Sequence, residues 1–196
     1  TYPGIAQLPE VSPGTLVQDL QRRDFRINAL AISLHPEHLG NLIDPTGGFD
    51  DITHRRLNVL HLNSLVDDPT RAFRAVRYAA RLDLEIADDT MFAVDRMLEN
   101  NALSYLSPER LGLELERIFR EDSAPLALEC AGGLGLFDHL PMDPIGLFTG
   151  SEELSYLAQT WTGETIEKTD LLWVLLASAL ENPEEWARLV PGGGKN

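Results

Sequence analysis

Four arginines, Arg71, Arg74, Arg77 and Arg81, recur at spacings of three, three and four. At 100° per residue on a helix they occupy an arc of about 120°, and Phe73, Val76 and Ala80 fall on an adjacent, separate arc. One face can then anchor in a core while the other presents planar guanidinium forks, a geometry that suits phosphate oxygens. The alternative is a solvated face, or pairing to carboxylates. Two features weigh toward phosphate. No acidic residue follows Asp68 on this helix, so partners at i,i+4 are absent, and all four cations are Arg rather than Lys.

Asp68 and Arg71 form a second constellation. A carboxylate that accepts and a guanidinium that donates, held side by side, can match the Watson–Crick edge of a base. Asp68 can equally be a helix cap with Arg71 as its neighbour, and one residue can do both. A third group, Arg22-Arg23-Asp24, opens the segment FRINALAISL at residues 25–34. Charges at such a start are commonly surface. Asn28 is less easily placed, because an amide inside an apolar segment needs partners and is either structural or a ligand contact.

Other groupings carry less. His35 and His38 stand three apart across Pro36, and two ligands do not make a metal site. Asp138-His139 is not the pair of a metal phosphohydrolase. Cys130 has no base nearby in sequence and reads as packing. Trp161, Trp173 and Trp186 lie in the acidic part of the chain and read as core, with base stacking as the alternative.

The elements that must position these groups fall into two kinds. Residues 1–20, with Pro3-Gly4, Pro9 and Pro13-Gly14, read as an irregular connector. Residues 25–34 read as a half-buried strand, Leu42-Ile43 as a short strand before a Gly47-Gly48 turn, and Leu57 to Leu60 as another strand. From about Asp67 the periodicity is helical. One helix runs from Pro69 to Leu82 with Asp68 as N-cap, and the next from Asp88 to Glu99. A third opens at Ser107-Pro108 and continues to Arg120 with Leu111, Leu115 and Ile118 on one face. A shorter helix from Pro125 to Ala131 is stopped by Gly132-Gly133. Residues 151–160, 168–181 and 183–190 are further helical candidates, and residues 192–196 form a tail. The fold class is α+β, with a mixed α/β part and one helix ending near Asp83 and an all-helical part beyond. The expected domains are 1–66, a head; 67–140, a helical neck; and 141–196, a helical body. Three β segments do not make a self-standing sheet, so further strands are expected upstream.

Composition bounds the setting. Hydrophobic residues make up 43% and charged residues 24% of 196, as in a soluble globular protein. A single cysteine excludes an internal disulfide and favours a reducing cytoplasm. The longest apolar run, residues 171–180, is about half of a membrane span, so no membrane partner is expected. The formal charge of −15 opposes binding to a phosphate backbone. Its distribution softens this, since residues 20–81 hold nine Arg against seven Asp and Glu, and residues 82–196 hold the excess acid.

Taken together, the segments resemble the class II tRNA nucleotidyltransferase and poly(A) polymerase family, the bacterial CCA-adding enzymes and their relatives. Residues 22–29 match that family's Arg-Arg-Asp-Phe-Thr-Ile-Asn-Ala motif except that Arg26 stands for Thr. Asp44, Gly47, Gly48 and Asp51 look like its third motif, Asp67-Asp68-x-x-Arg71 like its fourth, and Arg74-x-x-Arg77-Tyr78 like its fifth. Residues 79–82 and 107–110 look like the helical neck. The resemblance covers roughly residues 1–140. It implies that Asp68 and Arg71 select the incoming base, that Arg23, Arg74 and Arg77 contact the triphosphate or its ribose, and that Asp24 and Asn28 shape the floor of the same nucleotide-binding site. It implies a nucleotidyltransferase in tRNA processing that adds AMP and/or CMP, with ATP and CTP as substrates and a tRNA or other RNA 3′ end as partner. Poly(A) polymerase is the alternative within that chemistry, and a catalytically inactive helical module that binds RNA or protein is the alternative outside it.

The family's first motif, a glycine turn and an Asp-x-Asp pair that holds Mg²⁺, is absent here. No two aspartates stand two apart in the chain, and Asp83-Leu84-Glu85 is the nearest approximation. The resemblance places the Mg²⁺ carboxylates upstream of Thr1 and implies that this chain alone does not catalyse transfer. No catalytic residue and no metal ligand is therefore assigned within it.

Overall fold

The computed structural model describes residues 14–139 together with Asp170 and Trp173. The expected connector upstream of Gly14, the three helical candidates after residue 150 and the tail lie outside the described residues, Asp170 and Trp173 excepted; both of these are helical. Helix α1, Leu16–Gln21, begins inside the segment expected to be irregular. Its start is a reciprocal cap. The Thr15 hydroxyl accepts from the Gln18 N–H, and the Gln18 side-chain oxygen accepts from the Thr15 N–H at 2.8 Å.

The expected strand over residues 25–34 is corrected to three smaller pieces. Phe25 makes an isolated bridge to Val59, residues Arg26–Asn28 form a single 3₁₀ turn, and only β1, Ala31–Ile32, is a strand. Phe25, Ile27 and Ala29 are buried and the residues between them are not, so burial alternates as in a strand although the backbone turns. β1 pairs antiparallel with β2, Leu42–Ile43, with Ala31 opposite Ile43.

A tight turn follows. The Asp44 carboxylate accepts from the backbone N–H groups of Thr46, Gly47, Gly48 and Phe49, and starts α2, Gly48–Thr53, a helix with no clear signal in the sequence. The glycines are required there. Gly47 has φ of +79°, and a Cβ on Gly48 would stand 2.0 Å from the Arg26 carbonyl oxygen.

The strand expected over residues 57–60 shrinks to β3, Arg56–Leu57, followed by α3, Ser64–Asp67. The arginine helix is α4, Thr70–Leu82. Asp68 is not its N-cap, which is Pro69; Asp68 closes α3 instead. Asp83, with φ of +52°, ends α4 and returns the chain to β4, Glu85–Ile86, which pairs parallel with β3. Helix α5, Asp88–Glu99, is tied to β3 by Thr90, whose fully buried hydroxyl donates to the Leu57 carbonyl and accepts from the Val59 N–H. Helix α6, Pro108–Phe119, starts as expected with Ser107 as cap and buries Leu111, Leu115 and Ile118. Helix α7 spans Ala124–Gly133, so Gly132 and Gly133 lie in its last turn, and Gly135 at φ of +68° supplies the reversal.

One continuous core holds these elements. It joins Phe25, Leu57 and Val59 to Phe73 and Val76 of α4, to Met97, Leu115 and Phe119, and to Trp173. It therefore crosses the boundary at residue 67 that the sequence leads one to expect. Helix α4 is central, packed chiefly on α7 and α6, and can expose only one side.

Candidate functional site

The open side of α4 faces the residues that precede the 3₁₀ turn. Between them lies a cavity of about 500 Å³ lined by Arg23, Asp24, Asn28, Asp68, Thr70, Arg71, Arg74 and Tyr78. Six of the seven nucleotide-site residues expected from the sequence meet in this wall.

Asp24 is its keystone. It is buried, and its two oxygens are divided between two tasks. Oδ1 accepts from its neighbour's backbone, Phe25 N–H, and from the Asn28 amide, both at 2.9 Å. Oδ2 accepts from Arg74 through Nε at 2.8 Å and Nη2 at 2.5 Å. Burial pushes the Asp24 carboxyl up, but the Asn28 amide and the Arg74 cation outweigh it and hold it below its ordinary value. Burial also works against the Arg74 cation, and Asp24 outweighs that, so Arg74 holds its proton more firmly than a free arginine. Of the two readings left open for Asn28, the bond of its amide to Asp24 is the structural one, and the residue also lines the cavity. Arg23, half exposed, reaches over the Asn28 carbonyl at 3.0 Å and the Asp19 carboxylate at 3.2 Å.

Asp68 and Arg71 line the same cavity. Three donors converge on Asp68 Oδ1: the Thr70 N–H at 3.2 Å, the Thr70 hydroxyl at 2.7 Å and Arg110 Nη2 at 2.8 Å. No described residue donates to Oδ2. Arg71 is buried and donates from Nη1 to the Ser64 hydroxyl at 2.6 Å and from Nη2 to the Arg22 carbonyl at 3.3 Å. These bonds hold both groups in fixed positions at the edge of one cavity. An acceptor and a donor fixed in this way can discriminate among bases, since a base that mismatches them leaves a polar atom unpaired. Tyr78 closes the wall, its ring edge-on to Phe25 at 5.9 Å and its hydroxyl 3.4 Å from Arg74 Nη2.

Arg77, the seventh expected residue, is not among those that line the cavity. Its Nη1 donates to Glu121 Oε1 at 3.1 Å, and Arg81 Nη1 donates to the same oxygen at 3.2 Å. The four-arginine arc is wide enough to straddle two surroundings, the cavity on one side and the loop between α6 and α7 on the other. The sequence gives no sign of the contacts of Arg110 and Glu121, because they lie 42 and 44 residues from the groups they bind. Tyr78 stands in a recognised motif without an assigned role.

Comparison with known proteins bears on this cavity. Residues 5–58 match the model of the poly A polymerase head domain. The A-adding tRNA nucleotidyltransferase of Geobacter sulfurreducens is 34% identical over 186 residues, an alignment covering 91% of this chain and 21% of the relative. The CC-adding tRNA nucleotidyltransferase of Deinococcus radiodurans is 40% identical over 144 residues, covering 74% and 37%. A solved CCA-adding enzyme in its apo form II superimposes with a TM-score of 0.79 at 31% identity, over 96% of this chain and 46% of that one. Over most of its length the chain is similar to tRNA nucleotidyltransferases, and over residues 5–58 to the poly A polymerase head domain. It spans about a fifth of the Geobacter relative and less than two fifths of the Deinococcus relative. Another similar structure, at a TM-score of 0.77 and 28% identity over 92% of this chain and 55% of that one, is a tRNA nucleotidyltransferase with a primer tRNA and an incoming ATP analogue.

Magnesium, which the resemblance implies for the reaction, does not fit the described residues. Among them no group of three or more His, Cys, Asp or Glu could hold a metal ion. Asp24, the buried carboxylate of the cavity, already accepts four donors from Phe25, Asn28 and Arg74. Among the described residues no helix is long and apolar enough to cross a membrane.

Proposed function

We propose that this chain forms the nucleotide-selecting part of an RNA nucleotidyltransferase that adds AMP and/or CMP to tRNA 3′ ends in the cytoplasm, with ATP and CTP as substrates. The observation that carries the reading is the joining of two kinds of chemistry in one cavity. Asp68 and Arg71 offer a fixed acceptor and donor, and Arg23 and Arg74 offer guanidiniums, in the lining of the same cavity. A base and a triphosphate need such groups. The relatives that add A, and those that add CC, share the chain over most of its length. The Mg²⁺ carboxylates of the reaction belong to a part of the enzyme other than these residues.

The test is nucleotide binding by the 196-residue chain. Asp68→Ala is expected to reduce the preference among ATP, CTP, GTP and UTP by about tenfold, the scale of one two-point base contact, with little change in mean affinity. Arg74→Ala is expected to weaken all four by about tenfold or more, the scale of a lost charged hydrogen bond. Equal losses of both properties in both variants would refute the division of labour. Binding of RNA by a chain that binds none of the four nucleoside triphosphates would favour an inactive RNA-binding module. In a form of the protein that carries the metal carboxylates, extension that stops within the CCA end separates this reading from homopolymer synthesis on generic RNA.

A further inference from the structure

Outside the cavity wall, two guanidiniums converge on one point. Arg77 and Arg81, one helical turn apart on α4, both donate through Nη1 to Oε1 of Glu121, at 3.1 and 3.2 Å. The guanidinium carbons of both lie over the Tyr78 ring, 4.7 Å from its centroid for Arg77 and 5.1 Å for Arg81. Tyr78 itself lines the cavity, so this pair is the cavity's immediate neighbour. The site is open at one side: the Arg81 side chain is 42% exposed and Glu121 20%. Arg77 Nε is buried, and no described residue accepts from it. Two guanidiniums whose donors converge on one anionic oxygen suit a phosphate oxygen as they suit this carboxylate oxygen.

We propose that Arg77, Arg81 and Tyr78 form a binding site for a backbone phosphate of the RNA 3′ end, and that Glu121 occupies this site until RNA displaces it. The inference rests on the proposed function and assigns Arg77 to the primer instead of the incoming nucleotide. Glu121 acts as an internal competitor. It keeps two cations oriented beside the cavity and sets a threshold against weak anions. The RNA phosphate is favoured over inorganic phosphate because it arrives as part of a chain whose end lies next to the cavity. The nucleotide's own triphosphate is the other source of the same chemistry, and the test separates the two.

The experiment measures binding of a fluorescently labelled tRNA acceptor hairpin lacking its last nucleotides, and separately of ATP, to the 196-residue chain. Glu121→Gln removes the competitor's charge and keeps its shape. It is expected to tighten hairpin binding about fivefold, the upper range for an exposed ion pair, and to leave ATP binding unchanged. Arg81→Gln is expected to weaken hairpin binding and to reduce the slope of log affinity against log salt by about 0.7, the value for one contact to a single strand. In Arg81→Gln the added Glu121→Gln change should gain less than it does alone. Unchanged or weaker hairpin binding by Glu121→Gln with its thermal unfolding intact overturns the proposal. So does an effect of either variant on ATP alone, which assigns the pair to the triphosphate. If Glu121→Gln fails to fold, unaltered hairpin binding by Arg81→Gln overturns it. Loss of ATP binding by the unaltered chain refutes the proposed function instead.

Discussion

Asp24 commits both carboxylate oxygens before any ligand arrives, and that makes it a positioning residue for Arg74. An amide at this position keeps the shape and loses the charge. Asp24→Asn leaves Arg74 only partly exposed and without its counter-ion, at a cost of about 1–3 kcal/mol. The pH dependence has a defined sign. Because the Asp24 carboxyl is held below its ordinary value, its stabilisation is complete above the unfolded value of about 3.9 and is lost as pH falls toward the lower folded value. Denaturation followed by circular dichroism across that acid range should show this loss in the unaltered chain, and Asp24→Asn should lack that part of it. Glu114 runs the other way. Burial pushes its carboxyl up, with Arg117, Arg74 and Arg77 opposing but not cancelling the effect. Its contribution favours folding at lower pH and is lost as pH rises through the raised folded value. An Asp24 signal absent from the difference between the two acid titrations would remove the argument that this carboxylate is ionised in the folded chain.

At the scale of elements, the arginine helix and its caps show what periodicity carries and what it omits. Residues 70–82 form a helix because their apolar positions recur at helical spacing, and the same count places Arg71 and Arg74 at the cavity. Periodicity is a property of one element, however. It says nothing of Glu121, which arrives from the far end of α6, or of Arg110, which reaches Asp68 from its first turn. The 3₁₀ turn at Arg26–Asn28 was hidden for a related reason: the burial of Phe25, Ile27 and Ala29 has a strand's period, while the backbone is shaped by the approach of Gly48. That approach is testable. Gly48→Ala places a methyl group against backbone that cannot rotate aside, so the turn or α2 must move. A loss of at least about 2 kcal/mol in urea denaturation is expected, the scale of strained or overpacked positions. Because the turn carries Asn28 and abuts Asp24, ATP affinity should fall with it. A neutral Gly48→Ala would show that the turn is loosely held and does not fix the cavity floor.

For the molecule as a whole, charge and core divide differently. The formal charge of −15 gathers in residues 82–196, whereas the core runs without a break from Phe25 to Trp173. The described residues of the acidic part therefore share the core of the rest, and they supply Glu121 and Glu114, which hold or face the arginines of α4. The same continuity predicts a long-range dependence. Trp173 is buried with its ring edge-on to Phe119 at 5.1 Å, and Phe119 closes α6 against α4 and α7. Trp173→Ala should cost about 3–5 kcal/mol, the range for deleting a large buried aromatic. A chain ending at residue 140 loses the same ring and should be destabilised by at least that amount. Urea midpoints from circular dichroism give both values. In each variant the cavity should also weaken, because α6 carries Arg110 to Asp68 and precedes Glu121. A truncated chain with an unaltered midpoint and unaltered ATP binding would mean that residues 14–139 hold the cavity without help, and that the indole at position 173 covers the core without supporting it.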